Sequence, residues 1–410
     1  MAAKSPLAPA RFPTLPALAG AEWASLASGI RYTGRADLVL GAFRPGTTVA
    51  GVLTRSATAA PPVAWCRAAL PGGRARALVV NSGNANAFTG DAGLAAVRRT
   101  ADAARAVVGC RAREVFVAST GVIGVPLPVD KIAAALPRLK AKLSPTGWRG
   151  AAQAIMTTDT FAKGATRAAD VAGRAVTVNG IAKGSGMIAP DMATMLAFIV
   201  TDLAIPAAVL RTLLRAANRK TFNCITVDSD TSTSDTALLF ATGAVRPRPA
   251  IASATDPRLK DFRAALLALM TDLAHQIVRD GEGASKFITV TVTGAESARA
   301  ARVIAMSIAN SPLVKTAVAG ADANWGRIVM AVGKAGERID AARLAISVGG
   351  IAITEHGWLK PDYDETPVAL HMKGADIELA ADVGVGRGRA TVWTCDLTHG
   401  YIDINADYRS

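Results

Sequence analysis

The chain's apolar and polar positions follow two periods, one helical and one of strands. Leu94, Val97, Ala101, Ala104 and Val108 recur at helical spacing over residues 91–108, and Gly109 follows as a stop. A longer helix is predicted from Pro257 to about Val278. Asp256 can cap it, proline suits its first position, and Phe262, Leu266, Leu269, Leu273 and Ile277 line one side. Short β-branched runs predict strands at 77–80, 115–118, 198–201, 225–227, 287–292, 344–348 and 391–394. Residues 174–183 read as a hairpin turning at Asn179-Gly180, the strongest short turn signal. Near the end, residues 402–408 alternate apolar and polar and read as an ordered strand. The chain is therefore mixed α and β. No repeat, low-complexity stretch or Gly/Ser linker interrupts it.

Composition narrows the function. Half of the 410 residues are apolar and 19% are charged, which suits a compact enzyme and excludes a disordered chain. The net charge of +14 raises the question of nucleic acid, an anionic membrane or an acidic substrate. Basic residues come singly or in pairs, never as a dense run, and aromatics are only 5%. A stacking platform for bases is thus not expected, and anionic small molecules stay open. Cys66, Cys110, Cys224 and Cys395 stand apart, as reduced thiols of a cytoplasmic protein would, and not as a zinc site or disulfide scaffold. Residues 1–19 lack the apolar core of a signal peptide, and no apolar run is long enough for a bilayer. A soluble protein of the cytoplasm is expected.

Several catalytic patterns fail. Gly384, Gly386 and Gly388 lack the strand–turn–helix frame of a nucleotide loop and read as a bulge or tight turn. Asp228, Asp230 and Ser232 begin like a calcium loop, but Thr233 and Leu239 stand where Gly and Glu are required. His275, His356, His371 and His399 show no metal-ligand spacing, and no GxSxG elbow is present. No metal is expected, and any acyl-transfer base must come from outside the histidines.

One stretch stands out: Lys183-Gly-Ser-Gly-Met-Ile-Ala-Pro-Asp-Met-Ala-Thr194-Met-Leu. Gly184 and Gly186 permit unusual backbone shapes, Pro190 fixes its own φ and restricts Ala189, and a Thr opening an apolar strand has a stiff χ1. That combination suits attack of the Thr194 hydroxyl on the preceding carbonyl. By local chemistry alone, a Gly-rich turn feeding a buried strand is the better reading.

The same stretch resembles the self-cleavage segment of the ornithine acetyltransferase family, also called bifunctional glutamate N-acetyltransferase. Further segments fit in order. Asn81-Ser-Gly-Asn-Ala-Asn-Ala87 resembles the family's asparagine-rich loop, Ser119-Thr-Gly-Val-Ile-Gly124 its oxyanion segment, and Met156-Thr-Thr-Asp-Thr160 its first substrate strand. Asp280-Gly-Glu-Gly-Ala284, Asn324-Trp-Gly-Arg327 and Ile404-Asn-Ala-Asp-Tyr-Arg-Ser410 complete the match, which runs from about Ala21 to Ser410. Cys224, Ser229 and Ala323 depart from the family's usual residues, away from the positions given catalytic roles.

The resemblance implies an α/β, or α+β, fold of four layers, with a sheet sandwich between helices as in N-terminal-nucleophile enzymes. It implies self-cleavage between Ala193 and Thr194 into an α chain of residues 1–193 and a β chain of residues 194–410, assembled as a heterotetramer of two α and two β chains. Thr194 would be the nucleophile, and Thr120 (hydroxyl) and Gly121 (N–H) the oxyanion hole. Substrate contacts would fall on Thr157, Lys183, Thr194, Glu282, Asn405 and Ser410. The reaction implied is acetyl transfer from N2-acetylornithine to glutamate without a cofactor, with acetyl-CoA a possible second donor. Neither nucleic acid nor membrane is implied as a partner.

Overall fold

The computed structural model describes residues 3–189 and 195–406. The chain divides into two compact units. The larger comprises Pro9–Asn223 and Asp230–Ile277, and the smaller comprises the first residues, Cys224–Ser229 and the chain from Val278.

The larger unit carries strands β1 (Ala21–Leu26), β2 (Leu38–Phe43), β3 (Thr48–Leu53), β4 (Ala77–Asn81), β5 (Val115–Ser119), β6 (Lys163–Asp170), β7 (Ala175–Lys183), β8 (Leu196–Leu203) and β9 (Thr236–Val245). Its helices are α1 (Pro61–Ala69), α2 (Gly90–Val108), α3 (Val129–Ala141), α4 (Trp148–Ala154), α5 (Ala207–Asn218) and α6 (Lys260–Arg279), the last ending in the smaller unit. The strands form two sheets, β1-β2-β4-β5 and β3-β9-β8-β7-β6. Alternation decides their packing, because successive side chains leave a strand on opposite faces. Leu78, Val80, Phe116 and Ala118 of the first sheet share a core with Ile181, Phe198, Val200, Leu238 and Phe240 of the second. Phe43 stacks on Phe240 with ring centroids 4.3 Å apart. The intervening residues Leu38, Leu40, Val79 and Val117 turn outward onto Val97, Ala101 and Ala104 of α2 and Ile132, Leu136 and Leu139 of α3. Leu269 and Leu273 of α6 cover the outer face of the second sheet at Gly180. Within this unit the order is helix, sheet, sheet, helix.

The smaller unit holds β10 (Phe287–Ala295), β11 (Ala345–Val348), β12 (Ile351–Glu355), β13 (Trp358–Leu359), β14 (Asp376–Asp382) and β15 (Gly388–Cys395), in the order β13-β12-β11-β14-β10-β15. Helices α7 (Ala298–Ala309), α8 (Pro312–Ala319), α9 (Trp325–Gly333) and α10 (Thr366–Met372) contribute to its core, and α11 (His399–Asn405) lies near the end of the chain.

The two strongest helical patterns appear nearly as read. α2 ends at Gly109, whose φ of 73° makes the left-handed cap, although Leu94 faces solvent at 41% exposure. Asp256 accepts the Arg258 N–H and caps a 3₁₀ turn, Pro257–Leu259, ahead of α6. Four expectations need correction. Asn179-Gly180 is no turn, because both residues lie inside β7. The hairpin turns at Ala172 and Gly173, with φ of 55° and 73°. Asn179 instead accepts the Thr166 hydroxyl at 2.7 Å and donates to the Pro16 carbonyl at 2.8 Å. Gly180 is bare because a Cβ there would lie 2.9 Å from Leu269. Residues 225–227 form no strand, only a bridge from Ile225 to Trp393. Met156–Thr160 is a loop, bent by the hydrogen bond from Thr157 N–H to Asp159. Residues 402–405 are helical, not extended, and residues 407 and 408 lie outside the described residues: Thr398 caps α11 by accepting the Gly400 N–H, and the apolar–polar alternation is too short to outweigh that local start.

Cys66, Cys224 and Cys395 are buried, and burial pushes the Cys66 thiol up to about 12. Among the described residues no helix is long and apolar enough to cross a membrane.

Candidate active site

β4 and β5 run parallel with Asn81 opposite Ser119, so the loops that follow them leave the same edge of the sheet. The asparagine-rich loop frames its neighbour. Asn81 accepts the Ser119 hydroxyl at 2.6 Å and its backbone carbonyl accepts the Thr120 N–H at 3.1 Å. Asn84 bridges to both Thr120 and Val122, and its side chain donates to the Val125 carbonyl at 3.1 Å. Gly121 sits at φ +130°, and a Cβ there would come within 2.3 Å of the Gly83 backbone. Only glycine fits that approach. The result is a buried Thr120 side chain beside a Gly121 N–H that has no hydrogen-bond partner among the described residues.

Lys183, at the end of β7, reaches Thr120: its Nζ donates to Oγ1 at 3.4 Å. Behind it lies a group of charges that the sequence reading did not single out. Asp159 Oδ1 accepts from Lys163 Nζ at 2.7 Å and from the Gly184 N–H at 2.7 Å. Its Oδ2 accepts the Thr157 N–H at 3.0 Å and lies 3.9 Å from Lys183 Nζ. Burial alone would raise this carboxyl. The Lys163 and Lys183 ammonium groups outweigh burial, together with the hydrogen bonds from Lys163 and Thr157, and hold it well below the usual carboxylate range. One carboxylate thus ties together the loop bearing Thr157, the end of β7 and the segment opening at Gly184. Thr158 reinforces the junction through its hydroxyl contact with Ser185 at 2.7 Å.

Lys183 pairs in register with Leu196, the first residue of β8, and Leu196 pairs with Thr236 of β9. Ala193 and Thr194 lie outside the described residues, as does Ser410. The described chain resumes at buried Met195. Its N–H donates to Asp235 Oδ1 at 2.8 Å, and its carbonyl accepts the Thr236 N–H at 3.0 Å.

In the smaller unit, the structure brings together Glu282 and Asn405: the Asn405 amide donates to Glu282 Oε2 at 2.7 Å and to the Tyr401 carbonyl at 3.0 Å. The glycines around Glu282 allow close packing. A Cβ on Gly281 would meet Cys395 Sγ at 2.6 Å, and one on Gly283 would meet the Tyr401 nitrogen at 2.4 Å. Thr398 donates to the Gly283 carbonyl at 2.6 Å, and Asp396 accepts the Ser285 and Lys286 N–H groups at 2.8 and 2.9 Å. Glu282 is therefore held almost fully buried on a clamped loop.

Comparison with known proteins decides the family. A model of the ArgJ family matches residues 22–410. The chain belongs to the ArgJ family. The arginine biosynthesis bifunctional protein ArgJ of Agrobacterium fabrum is 57% identical, over 100% of this chain and 99% of that one. Its counterpart from Gluconobacter oxydans is 55% identical, over 99% of this chain and 95% of that one. The solved ornithine acetyltransferase of Mycobacterium tuberculosis, in complex with ornithine, is 39% identical over 42% of this chain and 93% of that chain, with a TM-score of 0.38. The ArgJ chain described here is an acetyltransferase enzyme of arginine biosynthesis.

Proposed function

We propose that this ArgJ chain moves an acetyl group from N2-acetylornithine to glutamate through an acetyl ester on Thr194, after cutting its own backbone between Ala193 and Thr194. The observation that carries the reading is the pair of donors at Thr120 and Gly121, fixed by contacts that only glycine permits and touched by Lys183. A rigid hydroxyl and an unpartnered N–H side by side are what a tetrahedral oxyanion requires.

The order of events follows. The Thr194 hydroxyl attacks the Ala193 carbonyl, the acyl group passes from nitrogen to oxygen and frees the Thr194 α-amine, and water then hydrolyses the ester to release the hydroxyl and an Ala193 carboxylate. Such an amine has an ordinary pKa of about 8, so its neutral form serves as base for the adjacent hydroxyl. Acetylornithine then acetylates Thr194 and leaves as ornithine, and glutamate takes the acetyl group. The Lys183 ammonium suits a substrate carboxylate, and the Glu282 carboxylate suits a substrate ammonium. Asn405 offers donor and acceptor, and Ser410 a hydroxyl. The cut leaves the sheet whole. β8 pairs with β7 on one side and β9 on the other, and β9 pairs with β3, so both products share one hydrogen-bonded sheet. Two α and two β chains in a cytoplasmic heterotetramer complete the reading, which involves no cofactor.

The test is acetyl transfer from N2-acetylornithine to glutamate by purified protein that runs as two bands on a denaturing gel. One intact band without transfer overturns the reading. A parallel incubation with acetyl-CoA and glutamate, read as N-acetylglutamate formed, decides whether a second donor is used. Thr120→Ala removes one oxyanion donor and leaves Lys183 in place. Its kcat should fall about 100-fold or more with KM little changed. Unchanged kcat would reduce Thr120 to a turn residue.

A further inference from the structure

At the β3 edge of the larger unit's second sheet lies a cleft of about 460 Å³, lined by Arg55, Arg67, Arg215 and Arg219 and, among the described residues, by no acidic side chain. Three elements bring the arginines together. Arg55 follows the end of β3, Arg67 lies in the last turn of α1, and Arg215 and Arg219 stand one turn apart at the end of α5. All four are exposed. The Arg67 guanidinium is aimed by its bond to the Thr54 carbonyl at 2.9 Å. Asn218, only 3% exposed, also lines the cleft and donates to Asn223 Oδ1 at 3.0 Å. The edge strand supplies the rest. In an antiparallel pair, alternate residues bond to the partner strand and the others point away. Thr54 N–H donates to the Asp235 carbonyl at 3.0 Å, so Val52 and Thr54 face β9. Val49 N–H donates outward to the Gly73 carbonyl at 3.2 Å and marks the other series, Val49, Gly51 and Leu53. Gly51 and Leu53 line the cleft, and their N–H groups have no hydrogen-bond partner among the described residues.

We propose that this cleft is a binding site for a nucleotide-type ligand that carries two or more phosphate groups. Guanidinium forks bond phosphate oxygens in pairs, and four of them without an acidic neighbour repel one another until an anion enters. The outward N–H groups of Gly51 and Leu53 add uncharged donors, and the carbonyls of the same residues face the same way and accept from hydroxyl or amino groups. Leu53 and Leu70 offer apolar surface to a ring. A volume of about 460 Å³ suits an organic ligand and is far more than a lone phosphate fills. The helix dipole favours cations at the ends of α1 and α5, but it does not account for their convergence with Arg55 on one cleft.

The sheet relates this cleft to Lys183. Leu53 pairs with Thr236, Thr236 with Leu196, and Leu196 with Lys183. Leu53 and Lys183 therefore lie at the same end of the sheet, three strand spacings or about 14 Å apart. Two sources present the required chemistry. In a coenzyme A thioester, an arm of about thirteen bonds separates sulfur from phosphate and spans about 15 Å when extended, which would set the acyl group near Lys183. A free nucleotide would occupy the cleft alone. The site stands apart from the self-cleavage reading, and only the thioester source rests on the acetyl-transfer reading.

The test is calorimetric titration of the purified protein with ADP, coenzyme A and inorganic phosphate, for the wild type and for the double variant Arg55→Gln with Arg215→Gln. Both arginines are exposed, so the variant should melt with the wild type. ADP and coenzyme A should bind the wild type, inorganic phosphate far more weakly, and the variant should lose about tenfold or more in affinity for both. Coenzyme A binding more tightly than ADP, with a raised KM for acetyl-CoA in the variant and an unchanged rate from acetylornithine, assigns the cleft to a thioester. ADP binding at least as tightly as coenzyme A assigns it to a free nucleotide. The proposal is overturned if neither ADP nor coenzyme A binds, or if the variant binds them as the wild type does. Inorganic phosphate that binds as tightly as ADP reduces the cleft to a simple anion site and overturns it too. A protein that binds ADP through these arginines yet moves no acetyl group from acetylornithine overturns the acetyl-transfer reading and leaves this site standing.

Discussion

Thr194→Ala should accumulate as one uncut chain with no measurable acetyl transfer. Both proposed steps use the same oxygen: once against the Ala193 carbonyl, and then in every turnover as the acetyl carrier. Removing a catalytic nucleophile from a hydrolase costs on the order of a millionfold in kcat. Here the loss compounds, because without the cut no free amine exists to activate a hydroxyl. Thr194→Ser keeps the oxygen and should cleave, more slowly because serine lacks the second Cβ substituent that restricts χ1. The two variants separate chemistry from folding. Both should melt near the wild-type temperature, since β7, β8 and β9 pair in register on either side of the segment. A purified Thr194→Ala protein that transfers acetyl groups at the normal rate would remove Thr194 from the mechanism.

Local signals carried much of the fold into the sequence. α2 was legible because its apolar residues keep helical spacing and Gly109 supplies the left-handed cap, and α6 because Asp256 and Pro257 mark its start. The misreading at Asn179-Gly180 has a tertiary cause, and the one near the end of the chain a local one. Asn179-Gly180 looks like a turn until Leu269 and Leu273 occupy the space beside Gly180 and Thr166 takes the Asn179 side chain. In the tail, the Thr398 cap prevails over alternation. At the site, Thr120, Lys183, Glu282 and Asn405 were legible only through the family resemblance, and the pairing of Glu282 with Asn405 spans 123 positions. Asp159, Lys163 and Asp235 were missed because their importance comes from shared burial, which no spacing encodes. A signal existed: Lys163 opens a strand of small residues, and Asp235 directly precedes the apolar β9. A charge at the lip of a buried strand needs a partner.

Asp159→Asn should strongly destabilise the larger unit. The side chains of Asp159 and Lys163 are both 0% exposed, so removing the negative charge strands a buried ammonium. Breaking a buried pair on one side costs about 3–5 kcal/mol, where an exposed pair is worth less than about 1. For a unit of this size that is a fall in Tm of roughly 10 °C. The pH dependence has a definite sign. Asp159 keeps its proton off well below the usual carboxylate range in the folded chain, so its stabilisation is present above the unfolded-state value and is lost as pH falls through the folded one. The gap in Tm between wild type and Asp159→Asn should therefore be constant around neutrality and close only in strong acid. Activity should suffer as well. The carboxylate receives Thr157 and Gly184 N–H groups on separate oxygens, and an asparagine amide has one oxygen to offer. A double variant, Asp159→Asn with Lys163→Met, removes the stranded charge and should recover most of the Tm without recovering kcat, because the two N–H groups still lack their second acceptor. If Asp159→Asn melts with the wild type at neutral pH, Lys163 is not a buried cation that depends on this partner. If the double variant regains full kcat, the carboxylate does not position the loop that bears Thr157.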